Sequence, residues 1–148
     1  MRGETLKGDV LTIESGIIVH GVNTCGAFGS GIAGQIRKQY PAVHKRYEKE
    51  VKNGDFILGE ISAVMVGPDK VIINAATQPT FGYDGKQHVD YDAVRECFKK
   101  VERVATFFDL PVHYPMIGCG LGGGKWEIIG PIIDEELKFV KHHLWVYQ

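Results

Sequence analysis

Two glycine-rich stretches constrain this chain more than any other feature in it. In GAFGSGIAG, residues 26–34, four glycines fall within nine positions, and in GCGLGGG, residues 118–124, five fall within seven. Each follows a short apolar run and precedes a segment of helical periodicity. Glycine permits positive φ and lets another group lie against the main chain, while the free N–H groups that open a helix favour an anion. Two such loops can clamp two phosphates. Making turns is the other common use of glycine, but two clusters at equivalent strand-to-helix junctions favour a ligand.

Those junctions come from the hydrophobic pattern. Residues 16–23 read as a buried strand and 31–40 as the helix after it, broken before Pro41. A polar helix over 42–52 closes at Asn53-Gly54, and strands over 61–66 and 71–76 flank the turn signal Gly67-Pro68-Asp69. Tyr91, Val94, Phe98, Val101, Ala105 and Phe108 recur at three- or four-residue steps and predict an amphipathic helix over 90–109. A strand over 112–117, a helix over 126–140 and a last strand over 144–147 complete the pattern. Strands alternating with crossover helices specify an α/β fold whose mixed, largely parallel sheet is covered on both faces. Such sheets bind ligands at the carboxyl ends of their strands, where both glycine loops lie. No repeat or linker interrupts the chain, and 148 residues suffice for one core but not for two ordinary domains. Residues 1–148 are therefore read as one domain.

Composition narrows the ligand. With 17 basic and 18 acidic residues the formal net charge is -1, so no global field attracts nucleic acid or an anionic membrane, and neither partner is expected. An anion must be held by local groups. Cys25, Cys97 and Cys119 fit no disulfide framework or paired zinc site. The opening MRGETLKGDV has no apolar signal core, and no apolar stretch approaches the roughly 18 residues of a membrane span. A cytoplasmic setting, that of the host if the gene is viral, is the expectation.

Familiar nucleotide motifs fail. Gly29-Ser30-Gly31-Ile32-Ala33-Gly34 spells GxGxxG, but residues 24–28 intervene after the strand, and Glu48, Glu50 and Asp55 lie in a hydrophilic stretch rather than at a second strand end. Gly124-Lys125 is followed by Trp126 where a P-loop needs a hydroxyl. His142 and His143 are adjacent, so in a strand they face opposite ways and cannot share a metal. Neither Cys25 nor Cys119 has the arginine-bearing loop of a cysteine phosphatase, and both read as small residues in tight loops. No metal or cofactor is implied.

The opening Gly8-Asp9-Val10, the strand ending in Asn23, the loop GAFGSGIAGQI and the loop IGCGLGGG before Lys125-Trp126-Glu127 together resemble a macrodomain. The resemblance spans nearly the whole chain. It points to the branch with small microbial and phage ADP-ribose 1''-phosphate phosphatases, terminal ADP-ribose glycohydrolases and antitoxin macrodomains. It implies a three-layer α/β/α fold and ADP-ribose or ADP-ribose 1''-phosphate as ligand. Asp9, followed by Val10, matches the acceptor for the adenine amino group, and Asn23 matches the amide that binds the distal ribose. Gly29, Ser30, Gly31, Ile32 and Ala33, with Ile117, Gly118, Cys119, Gly120, Leu121 and Gly122, match the two loops that cradle the diphosphate.

Glycohydrolases of this branch carry a nucleophilic lysine after the strand matching 71–76, where this chain has Ala76-Thr77-Gln78, and an aspartate where it has Gly122. Both departures weigh against lysine-mediated removal of ADP-ribose from protein or DNA. Dephosphorylation needs only a held phosphate and a placed water. Asn23, His88 and Asp90 are the candidates for handling that water, although Asp90 also suits a helix cap and His88 a solvated loop. Two alternatives stay open: a lysine-independent ADP-ribosyl hydrolase and a non-catalytic ADP-ribose reader. His20, inside an apolar strand, reads as a core histidine.

Overall fold

The structure, a computed structural model, describes residues 3–29, 31–80, 86–119 and 122–147. Its centre is the strand Gly16–Asn23 (β2), whose residues are buried at every position but Gly21. A strand buried on both faces needs a layer of helices on each side. Ile17 and Val19 pack beneath Tyr91–Phe108 (α3) and Trp126–Glu136 (α4), while Ile18 and Val22 pack beneath Gly31–Gln39 (α1) and Pro41–Lys52 (α2). The three-layer α/β/α expectation holds.

The sheet is completed by Glu4–Lys7 (β1), Ile61–Gly67 (β3), Lys70–Gln78 (β4), Val112–Tyr114 (β5) and His142–Val146 (β6), in the order β1-β6-β5-β2-β4-β3. Every pairing is parallel except β3 with β4. The neighbouring parallel strands β5, β2 and β4 therefore release their carboxyl ends on one edge, and the chain leaves them through residues 115–125, 24–30 and 79–90.

Several boundaries differ from the sequence pattern for identifiable reasons. β5 stops at Tyr114 rather than residue 117, because Pro115 has no N–H for the ladder. The helix expected to reach Val140 ends at Glu136, with Pro131 inside it and Leu137 as its cap. β6 begins at His142, two residues before the apolar run. β1 has no apolar run of its own; its four residues are held by parallel pairing to β6, with Glu4 opposite His143. Lys100 of α3 donates to Gly59 O and Glu60 Oε1, each at 2.7 Å. No helix among the described residues is long and apolar enough to cross a membrane.

Candidate functional site

The three exit loops are stitched together by main-chain hydrogen bonds. Thr24 N donates to Gln78 O at 3.2 Å, joining the first glycine loop to the end of β4. His88 and Val89 donate their N–H groups to Gly122 O at 2.7 and 3.0 Å, joining the segment before α3 to the second glycine loop. Gly124 N closes that loop on Gly118 O at 2.7 Å. Space inside it is small: a Cβ at Gly122 would lie 2.6 Å from Gly118 O and 2.8 Å from Gln78 Oε1. Real side chains do not fit such gaps, so glycine is required there by packing.

Asn23 ends β2 and is 6% exposed. Its Oδ1 accepts from Cys25 N at 3.1 Å and Ala27 N at 3.2 Å, and its Nδ2 donates to Ala27 O at 2.8 Å. The side chain is thus turned into its own loop, and one Nδ2 hydrogen is left for anything else. Tyr47, fully buried on α2, donates its phenol hydrogen to Asn23 O and Oδ1, at 2.8 and 2.9 Å, and accepts from Gly26 N at 3.2 Å. Desolvation pushes this phenol up to about 12, so it stays neutral. Nothing in the glycine motif points to Tyr47; the available signal is the step Val43, Tyr47, Val51, which puts a phenol on the buried face of α2 where it must find a partner. α1 opens at Gly31 with no acidic residue in its first turn, so the N–H groups of Gly31, Ile32 and Ala33 have no carboxylate of that turn as partner.

The remaining sequence candidates fall in three places. Asp9 caps the short turn Val10–Thr12, its Oδ1 accepting from Leu11 N at 2.9 Å, and Val10 is buried. Asp90 caps α3 by accepting from Ala93 N at 2.9 Å. Asp90 and the half-buried His88 line, with Pro79, Tyr91 and Asp92, an open pocket of about 390 Å³ beside the end of β4. Ile117 is buried below the second loop, and Gly118 turns it at a φ of 77°. Ser30, Gly120 and Leu121 lie outside the described residues. Phe28 packs at 4% exposure against His20, His44 and Tyr47.

The surroundings of Cys119 do not activate its thiol. Burial, then the neighbouring Glu127, pushes the Cys119 thiol up, the opposite of what a nucleophile needs. Cys25 lies with its Sγ 3.2 Å from Asn23 Oδ1.

His20 is fully buried, its Nε2 2.6 Å from Asn74 Oδ1. Desolvation lowers it from 6.5 to about 4, against a smaller opposing effect of the Asn74 hydrogen bond. An unfolded chain takes up a proton at this imidazole below about 6.5 whereas the folded chain resists until about 4. Stability is accordingly expected to be complete above pH 6.5, to fall through that window by up to about 3 kcal/mol from this group, and to level off below it. His113, lowered to about 4 by desolvation and by His143, acts in the same direction. Urea denaturation at pH 7.5, 5.5 and 4 measures this. An unchanged midpoint would mean that protons reach both imidazoles in the fold.

The Macro domain family model matches residues 19–133, which take in β2 from Val19 onward, both glycine loops and α4 as far as Ile133. This chain belongs to the macrodomain family. Among solved structures it is similar to a Bacteroides thetaiotaomicron protein of unknown function, at a TM-score of 0.91 and 32% identity, over 100% of this chain and 99% of that one. The DNA ADP-ribosyl glycohydrolase of Mycobacterium tuberculosis is 32% identical over 126 residues, 82% of this macrodomain, which spans only 34% of that protein's length. The ADP-ribose 1''-phosphate phosphatase of Candida albicans is 27% identical over 155 aligned positions, covering 96% of each chain. The macrodomain family binds ADP-ribose, and membership supports that ligand for the clustered loops; the two kinds of relative leave the reaction open.

Proposed function

We propose that this macrodomain, read as one domain over residues 1–148, binds ADP-ribose and hydrolyses ADP-ribose 1''-phosphate to ADP-ribose and phosphate. Gln78 carries the choice of reaction. It ends β4 against the second glycine loop, its Nε2 donating to Thr80 O at 2.8 Å. An amide cannot attack the anomeric carbon to form a covalent amine adduct, so the lysine-dependent route is closed at this position. Near-complete coverage of the Candida albicans phosphatase supports the same reading.

In this reading the Asp9 carboxylate oxygen that does not cap Leu11 accepts from the adenine amino group, next to Val10. The loops Gly29 to Ala33 and Ile117 to Gly122, with Ser30, Cys119, Gly120 and Leu121 among their residues, hold the phosphates mainly through main-chain N–H groups other than those of Ile117 and Cys119, which are given to Pro115 O and Met116 O. That arrangement lets a nearly neutral protein hold a polyanion, because oriented N–H groups at a helix start favour negative charge. The remaining Nδ2 hydrogen of Asn23 serves the distal ribose or the attacking water. Water adds to phosphorus, the bond to the ribose 1'' oxygen breaks, and one water proton ends on that oxygen, with His88 or Asp90 as its carrier. No cofactor or metal enters these steps.

The test is calorimetric titration with ADP-ribose, repeated on Asp9→Ala, followed by phosphate release from ADP-ribose 1''-phosphate. About tenfold weaker binding by Asp9→Ala is expected, as for loss of one charge-assisted hydrogen bond, together with phosphate release by the unsubstituted protein. Binding without release would leave a reader. Release of ADP-ribose from modified DNA or protein instead of phosphate would overturn the phosphatase in favour of a lysine-independent hydrolase.

A further inference from the structure

The first glycine loop does not hold its own shape. Its turn passes through Gly26 at a φ of 96°, and no regular ladder satisfies residues 24–28. What organises it is a centre of three groups: the Asn23 side chain, the Asn23 carbonyl and the Tyr47 phenol. Tyr47 is 0% exposed, its ring centroid 4.9 Å from that of Phe28 and 5.6 Å from that of Phe56. The aromatic packing fixes where the hydroxyl stands, and the hydroxyl in turn fixes Asn23 and Gly26.

We infer that Tyr47 is a positioning residue of the ligand site: through Asn23 and Gly26 it holds the first glycine loop in the shape that receives the ligand. The inference rests on the ADP-ribose reading of that loop. A phenol that touches no ligand then acts on affinity through preorganisation, because a loop already in its bound shape loses less conformational freedom on binding. Without the hydroxyl, Gly26 N loses its acceptor and the Asn23 carbonyl and Oδ1 lose a donor, and residues 24–28 gain alternative conformations. Helix α2 thereby belongs to the site although none of its residues falls in a glycine motif.

The experiment compares Tyr47→Phe with Ser62→Ala. Ser62 is 2% exposed and donates to Glu50 Oε1 of the same helix at 2.5 Å, on the β3 side and outside the loop. Both variants remove a hydrogen bond that a buried hydroxyl makes with or from α2, so both lower the thermal midpoint. Below those midpoints, Tyr47→Phe is expected to bind ADP-ribose at least tenfold more weakly than the unsubstituted protein, and Ser62→Ala to match it. Equal affinity of Tyr47→Phe and the unsubstituted protein would overturn the inference. Failure of the unsubstituted protein to bind would overturn the ADP-ribose reading instead. A second measurement needs no substitution: the Gly26 amide of the unliganded protein is expected to be protected from hydrogen exchange relative to the Gly29 amide, which makes no hydrogen bond to the described residues. Exchange of both at the same rate would show that the phenol does not hold the loop and would likewise overturn it.

Discussion

Replacing Gly123 by alanine is expected to weaken ADP-ribose binding by about a hundredfold or more. Gly123 sits at a φ of 69°, in the left-handed region, where a Cβ costs roughly 1–2 kcal/mol by itself. That Cβ would also meet the Lys86 carbonyl oxygen and would lie 3.0 Å from Gln87 Cα, both main-chain atoms that cannot rotate away. The segment it displaces is the one whose His88 and Val89 N–H groups bind Gly122 O. Relief of the clash therefore separates the second glycine loop from the segment carrying His88 and Asp90. A hundredfold is about 2.7 kcal/mol, within reach of strain and two lost hydrogen bonds. Gly54→Ala is the control: its φ of 74° imposes similar backbone strain in open space after α2, so it is expected to lower stability and leave affinity alone. Calorimetric titration of both variants decides it. Unweakened binding by Gly123→Ala would mean that the second loop is not part of the cradle.

Phe98→Ala is expected to cost about 3–5 kcal/mol of folding stability, the usual range for deleting a buried phenyl ring. Phe98 is 0% exposed on α3 and meets Tyr114 of β5 edge to face, with ring centroids 6.0 Å apart. The cavity would open between α3 and the sheet, where both core and helix are already committed to other contacts and collapse is limited. Guanidinium denaturation gives the magnitude. A loss under about 1 kcal/mol would mean that the α3 layer repacks freely. Because Phe98 lies two turns beyond Asp90, ADP-ribose affinity of the folded variant is expected to change far less than its stability.

The fold was legible because its signals are local. The stripe from Tyr91 to Phe108 became α3 with its cap at Asp90, and the run from Gly16 to Asn23 became the central strand. Elements without a local signal were the ones missed. β1 has only Leu6 as an apolar residue and exists because β6 offers an unpaired edge. The early end of β5 depended on Pro115, and that of α4 on how residues 137–140 turn toward β6.

The site was legible to a lesser degree. Chain chemistry alone marked both glycine loops, because requirements for positive φ and for missing Cβ atoms are written as glycine. Gln78 was marked only through the macrodomain resemblance, which implies a lysine at that position where this chain has an amide. Other assignments depended on which hydrogen-bond partners the folded chain provides. Asp90 takes the cap role its residue type allows, Asp9 caps a short turn, each using one carboxylate oxygen on an N–H two or three residues on, and Asn23 is bound into its own loop. Tyr47, 24 residues from Asn23, has no role that any sequence window shows. The sequence determined which strands and helices form and which loops must be glycine, because these follow from side-chain periodicity and backbone freedom. Only the tertiary structure decided which polar groups are already spent on one another, because hydrogen-bond partners are chosen by proximity in space.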